Sequence, residues 1–113
     1  MHELSIAINI IEIVEEQARG LNAESVLSVE LDIGTVAGII PDTLIFSWEI
    51  ATKGTIMENS ELIINTIPAR ARCAECNLEF EIEDLLAVCP QCSCMQYDLL
   101  QGKELKVKSI NIK

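Results

Sequence analysis

Four of the five cysteines stand in two matched pairs, Cys73-Ala74-Glu75-Cys76 and Cys89-Pro90-Gln91-Cys92, with twelve residues between them. A Cys-x-x-Cys turn aims two thiolates at one point. Two such turns supply four soft sulfur donors, the closed tetrahedral set that suits a structural Zn²⁺. Two disulfides are the plainer alternative, but they need an oxidising compartment, and nothing in the chain points to one. A redox dithiol would need only one such pair.

The second candidate is His2, the only histidine. At position two, the free α-amine of Met1, the deprotonated amide of His2 and its imidazole can close chelate rings about one ion. The amide or the carboxylate of Glu3 can complete a four-coordinate plane. Planar, nitrogen-rich coordination selects Ni²⁺ or Cu²⁺ over Zn²⁺. The imidazole binds as the neutral base, so affinity is expected to fall as pH drops through the histidine pKa. On spacing alone, a solvated histidine and a glutamate suited to a helix N-terminus account for the same residues.

The elements that carry these groups follow from hydrophobic periodicity. Ile6, Ile10, Ile13, Val14, Gln17 and Leu21 recur at helical spacing, with Asn9, Glu12, Glu15, Glu16 and Arg19 outward and Gly20 as the stop. Leu27, Val29, Leu31 and Ile33 alternate with polar residues, which predicts a strand with one buried face. The segment Gly34–Gly38 reads as a turn. Pro41 and Asp42 open a second helix running through Leu44, Ile45, Trp48 and Ala51 to Gly54. A second strand covers 62–67 and stops at Pro68. Within the cysteine region, Leu78, Phe80 and Ile82 alternate with Glu79, Glu81 and Glu83, one strand of a hairpin. A last amphipathic strand, Leu105 to Ile112, slips parity between Lys108 and Ser109 and is expected to return to the first sheet.

Composition narrows the function. The chain has 113 residues, a formal charge of −10 and four aromatic residues, so its core is aliphatic and its surface repels nucleic-acid phosphate. No secretory signal or bilayer-spanning segment is legible, which makes the cytoplasm the expected location, with no membrane partner. There is no phosphate-binding loop, and a single histidine cannot build a nucleophilic triad, so no enzyme is expected. Lys103, Lys106, Lys108 and Lys113 form the one basic stretch, read as edge-strand protection or as a dock for an acidic partner.

The chain resembles the HypA/HybF family of [NiFe]-hydrogenase maturation proteins over essentially its whole length. The matching residues are Met1-His2-Glu3-Leu4-Ser5, Gly38-Ile39-Ile40-Pro41, Phe46-x-Trp48, Gly54-Thr55, Pro68, both cysteine pairs and Gly102-Lys103-Glu104-Leu105. The resemblance implies an α+β fold: a two-helix, three-stranded mixed-sheet nickel domain, residues 1–69 plus 101–113, with a zinc-ribbon-like four-cysteine module inserted at 70–100. It implies nickel held by Met1, His2 and Glu3, and structural zinc held by Cys73, Cys76, Cys89 and Cys92. It further implies a metallochaperone that works with a HypB-type GTPase and serves the [NiFe]-hydrogenase large subunit. Some relatives also serve urease maturation. One departure stands out: where the family usually has glycine and then serine after the last cysteine, this chain has Ser93 and Cys94. Serine fits a left-handed position less well than glycine, and Cys94 is expected to be a spare surface thiol.

Two rival functions share the same residues. A zinc-ribbon adaptor would bind zinc alone and be indifferent to its N-terminus. A rubredoxin-like electron carrier would hold iron, but the module has only Phe80 and Tyr97 as aromatic residues, fewer than rubredoxins place around their iron.

Overall fold

Strand β1 (Val26–Gly34) is the middle of the first sheet, which the computed structural model, describing residues 2–113, orders β2-β1-β6. Its partners are β2 (Glu61–Ile67) and β6 (Leu105–Ile112). The N–H of Val26 donates to Ile56 and that of Thr35 to Ile67, so β2 runs parallel to β1. The N–H of Glu24 donates to Lys113 and that of Gly34 to Glu104, so β6 runs antiparallel. The sheet is therefore mixed, and the parallel pair needs the crossover that α2 (Pro41–Ala51) supplies. The C-terminal strand returns to this sheet as its amphipathic pattern predicts. Its half-buried residues Val107, Ile110 and Ile112 show the parity slip.

Helix α1 (Glu3–Gly20) buries Glu3, Ala7, Ile10, Ile11, Val14 and Ala18. This corrects the sequence expectation. Ile10 and Val14 are inside, but Ile13, Gln17 and Leu21 are all exposed, and Ile6 is half-buried. Isoleucine, leucine and valine occupy most of the circumference of this helix, so hydrophobicity alone does not select a face. The alanines do, because small side chains let a helix lie close to its neighbour. In β1, Val29, Leu31 and Ile33 are buried as expected, whereas Leu27 is out and Val26 is in. The alternation slips at the entry of the strand.

By compactness the chain divides into two units. The first comprises Met1–Leu31, Ile39–Asn65 and Lys106–Lys113. Its core includes Val14, Val29, Leu31, Leu44, Trp48 and Met57, each 1% exposed or less. Trp48 also donates its indole N–H to Ser60 Oγ at 3.0 Å, which satisfies its one buried polar atom. On the polar side of the sheet, Glu30 accepts from Asn65 Nδ2 and Ser109 Oγ at 2.6 and 3.2 Å, with Lys108 at 3.7 Å.

The second unit comprises Asp32–Gly38 and Thr66–Leu105. It carries a sheet ordered β4-β3-β5, from β3 (Ala69–Cys73), β4 (Glu79–Ile82) and β5 (Tyr97–Gln101). Strand β3 pairs antiparallel with both neighbours. Arg70 and Arg72, which mark a composition change in the sequence, sit opposite Glu81 and Glu79. Alternating with them, Ala69 and Ala71 face a small core with Ile82, flanked by half-buried Val36, Phe80, Tyr97 and Leu99. A buried apolar cluster of three residues is too small to hold such a sheet in water, so this unit needs another source of stability.

Candidate metal centre

Two turns of the same build carry the four cysteines. Cys73 closes β3; its N–H donates to the Leu78 carbonyl at 2.8 Å, and the Asn77 N–H donates back to the Cys73 carbonyl at 3.0 Å. In the second turn the Cys89 N–H donates to the Cys94 carbonyl at 2.9 Å, and the Ser93 N–H to the Cys89 carbonyl at 2.8 Å. Asn77 and Ser93 are both left-handed, with φ of 62° and 63°. The N–H of Glu75 points at Cys73 Sγ and that of Gln91 at Cys89 Sγ, each at 3.4 Å. Position for position, Cys73, Asn77 and Leu78 correspond to Cys89, Ser93 and Cys94. Serine thus stands in the left-handed position that the sequence pattern predicts.

These turns bring four sulfurs together. The Sγ atoms of Cys73, Cys76, Cys89 and Cys92 all lie within 4.8 Å of one another. Cys73 and Cys92 are 3.4 Å apart, and Cys76 and Cys89 are 3.6 Å apart. A tetrahedral ion with metal–sulfur bonds of about 2.3 Å sets sulfur–sulfur separations of about 3.8 Å. A disulfide would need about 2.05 Å, and all five cysteines are free thiols. The donor set therefore fits a four-coordinate, thiolate-bound cation.

The electrostatics call for that cation. The Cys76 amide foremost, against burial, brings the Cys73 thiol down to about 6. Cys89 is also lowered: burial opposes its ionisation, but the amides of Cys92 and Gln91 outweigh it. The amide of Cys94 favours the Cys92 thiolate, yet the Cys73 sulfur, burial and the other two thiols together push Cys92 up to about 12. For Cys76 the Leu78 amide is likewise outweighed by burial and the neighbouring sulfurs, and its thiol is raised. Four negative sulfurs coexist this closely only around a positive ion.

Cys94 stands outside the set of four. It is half-buried, and its Sγ accepts from the Gln96 N–H at 3.4 Å and lies 3.6 Å from the Gln96 carbonyl.

Of the three N-terminal candidates, Met1 lies outside the described residues. His2 is exposed and immediately precedes α1, and its carbonyl accepts from the Ile6 N–H at 2.9 Å. Its imidazole makes no capping bond to the helix. The first amides of a helix have no acceptor within the helix, so the His2 amide is not consumed by the α1 ladder. Glu3 differs from the solvated residue its position suggests. It is only 3% exposed, and its Oε2 accepts from the Ile40 N–H at 3.1 Å, at the N-cap of α2. The positive chain terminus, then the Ile40 amide and its own amide, hold the Glu3 carboxyl down at about 2. Periodicity leaves no trace of a bond across 37 residues, so sequence reasoning missed it.

A mixed-sheet α/β unit joined to a zinc-ribbon-like unit with four converging thiols defines a small metal-binding protein. The family described as "Hydrogenase/urease nickel incorporation, metallochaperone, hypA" matches residues 1–112. The chain is 38% identical over 112 residues to a "Hydrogenase maturation factor HypA" from Geotalea daltonii, covering 99% of each chain. It is 42% identical over 113 residues to the protein of the same name from Parabacteroides distasonis, covering 100% of this chain and 98% of that one. Its fold is similar to the solution structure of the Ni metallochaperone HypA from Helicobacter pylori, with a TM-score of 0.68 at 22% identity over 99% and 97% of the two chains. A second HypA solution structure gives a TM-score of 0.72 at 21% identity, covering 100% and 97%. The chain belongs to the HypA family of nickel-incorporation metallochaperones.

Proposed function

We propose that the protein binds one Ni²⁺ at its extreme N-terminus and passes it, with a HypB-type GTPase, to the large subunit of a [NiFe]-hydrogenase in the cytoplasm. Urease maturation proteins are an alternative destination. The observation that carries this reading is the placement of His2: exposed, at the residue before α1, with its imidazole uncommitted to the helix. The Met1 amine, the His2 amide and the His2 imidazole are three of the donors. The Glu3 carboxylate already accepts from Ile40, which favours the Glu3 amide as the fourth. The set is nitrogen-rich and suits a planar d⁸ ion. Nickel is cargo here, and the chain itself carries out no bond-making chemistry.

Zinc is the proposed resident ion of Cys73, Cys76, Cys89 and Cys92, within the module at 70–100. Its role is structural: it supplies stability that the small apolar cluster of Ala69, Ala71 and Ile82 lacks. The test is a nickel titration of protein starting at its native Met1, protein with extra residues before Met1, and His2→Ala protein, followed in the absorbance of planar Ni²⁺. Only the native-start protein is expected to give that band. Equal binding and an equal spectrum from the extended protein would refute the N-terminal site and favour a zinc-only adaptor.

A further inference from the structure

The loop after β4 presents apolar side chains to water in a way that folding does not require. Leu86 is 91% exposed, and its neighbours Leu85 and Val88 are 47% and 50% exposed. Between them Ala87 turns inward against the core of Ala69, Ala71 and Ile82. The loop is shaped by polar bonds to its backbone. The Leu86 N–H donates to Asp84 Oδ1 at 2.8 Å, and the Tyr97 hydroxyl donates to the Leu85 carbonyl at 2.7 Å. Those bonds would persist with any side chain at position 86. A leucine held out in this manner forgoes burial worth about 1.5–3 kcal/mol, which marks a contact made with something else.

Beside Leu86 lies a cleft of about 270 Å³, with Phe80, Ile82, Ala87, Val88 and Pro90 contributing to its walls. The charged residues that line it are all acidic, although Arg70 sits opposite Glu81 across the β3–β4 pair. Glu81, Glu83 and Asp84 line the cleft, and all three are exposed. Glu79 continues the same edge, although Arg72 pairs with it at 3.3 Å. A second copy of this chain, at −10, would meet like charge here. An anionic membrane or a nucleic acid would be repelled for the same reason.

We infer that Leu86 and the adjoining cleft are a docking surface for a partner protein that offers an apolar pocket rimmed by lysine and arginine. Leu86 enters the partner's pocket, and an apolar side chain of the partner fills the cleft. The acidic rim steers the approach and fixes the register. The surface belongs to the four-cysteine unit and does not depend on where nickel binds.

The experiment places a photo-crosslinking amino acid at Leu86, and at Glu24 as a control, in the full chain expressed in its native host. The joined partner and the crosslinked peptide are identified by mass spectrometry. The purified partner is then titrated with wild-type, Leu86→Ser, Leu86→Met and Glu83→Lys proteins at two salt concentrations. A peptide from an apolar pocket bordered by basic residues is expected. Leu86→Ser should weaken binding tenfold or more, and Leu86→Met should restore most of it. The charge reversal should slow association and flatten its salt dependence. Zinc content and the circular dichroism spectrum of each variant should match wild type, since these side chains are exposed. Crosslinks no more abundant at Leu86 than at Glu24, crosslinks only to a second copy or to lipid, or a partner whose affinity is indifferent to Leu86→Ser would each overturn the inference.

Discussion

The backbone N–H of Ile40 donates to Oε2 of Glu3 at 3.1 Å, so the residue after the sole histidine is tied to the start of α2. A buried carboxylate with this bond is part of the fold before it is part of any metal site. Glu3→Ala should leave the Ile40 amide without its acceptor and lower the melting temperature. Glu3→Gln, which retains an oxygen acceptor, should lower it less. The folded pKa lies below the ordinary value, from 4.5 to about 2. The stabilisation is therefore fully present above pH 4.5 and fades as pH falls toward 2. Melting curves of wild type and Glu3→Gln should differ at pH 7 and converge across that interval. A constant difference down to about pH 2 would show that the charge on Glu3 plays no part.

Metal removal should act on one unit first. The second unit has a core cluster of three buried apolar residues, while the first has an extensive core of its own. Chelation is expected to accelerate amide exchange across 70–100 and leave α1 and α2 protected. Cys73→Ala, Cys76→Ala and Cys89→Ala should each lose zinc, measured by elemental analysis. Cys92→Ala tests whether Cys94, two residues on, can substitute. Uniform exchange over the whole chain would mean that the metal supports a single cooperative core.

Ser93 holds a left-handed conformation, φ 63°, where a side chain costs about 1–2 kcal/mol. Glycine removes that cost but loses more entropy on folding, about 0.5–1 kcal/mol. Ser93→Gly should therefore stabilise the metal-loaded protein by about 0–1.5 kcal/mol. It should be read as slower release of zinc to a chromogenic chelator. Asn77→Gly should change less, because asparagine tolerates this region better than serine. Faster release from Ser93→Gly would show that the serine side chain contributes something its backbone does not.

Gly34 permits a backbone crossing that no other residue allows. A Cβ there would lie 1.9 Å from the Gly102 carbonyl oxygen and 2.6 Å from the Lys103 nitrogen. Both obstacles are backbone, so the strands must part. Gly34→Ala should destabilise by about 1–3 kcal/mol or more, measured by urea unfolding. Gly20→Ala meets nothing within 4 Å and should be neutral or stabilising.

Much of this is legible in the chain because strong local signals agree. Strands β1, β4 and β6 announce themselves by alternation, β2 by the apolar run that stops at Pro68, and α2 by Pro41 and Asp42. The cysteine spacing predicts the turns, including a left-handed residue after the second pair. Strand β3 does not show: Ala69-Arg70-Ala71-Arg72 lacks β-branched residues, and the strand exists because two neighbours pair with it. Strand β5 is five residues long and lacks a clear alternation of its own. Periodicity misplaces the buried face of α1 because apolar residues surround that helix. The Glu3–Ile40 bond leaves no signal, since a carboxylate beside a chain terminus looks the same whether solvated or buried.

The close passage of Gly34 and Gly102 bears on how the cysteine unit can be transplanted. A fragment cut at its sequence flanks, 66–105, leaves behind Asp32–Gly38, which is part of the same compact body. In that upstream piece the Val36 N–H donates to the Gly102 carbonyl at 2.9 Å, Thr35 Oγ accepts from the Ala69 N–H at 3.1 Å, and the Val36 side chain joins the core. A graft onto another scaffold would carry its metal turns intact and still lack one wall. The portable object is two strips of chain, Asp32–Gly38 and Thr66–Leu105, and a graft must carry Gly34 in the first strip along with Gly102 in the second.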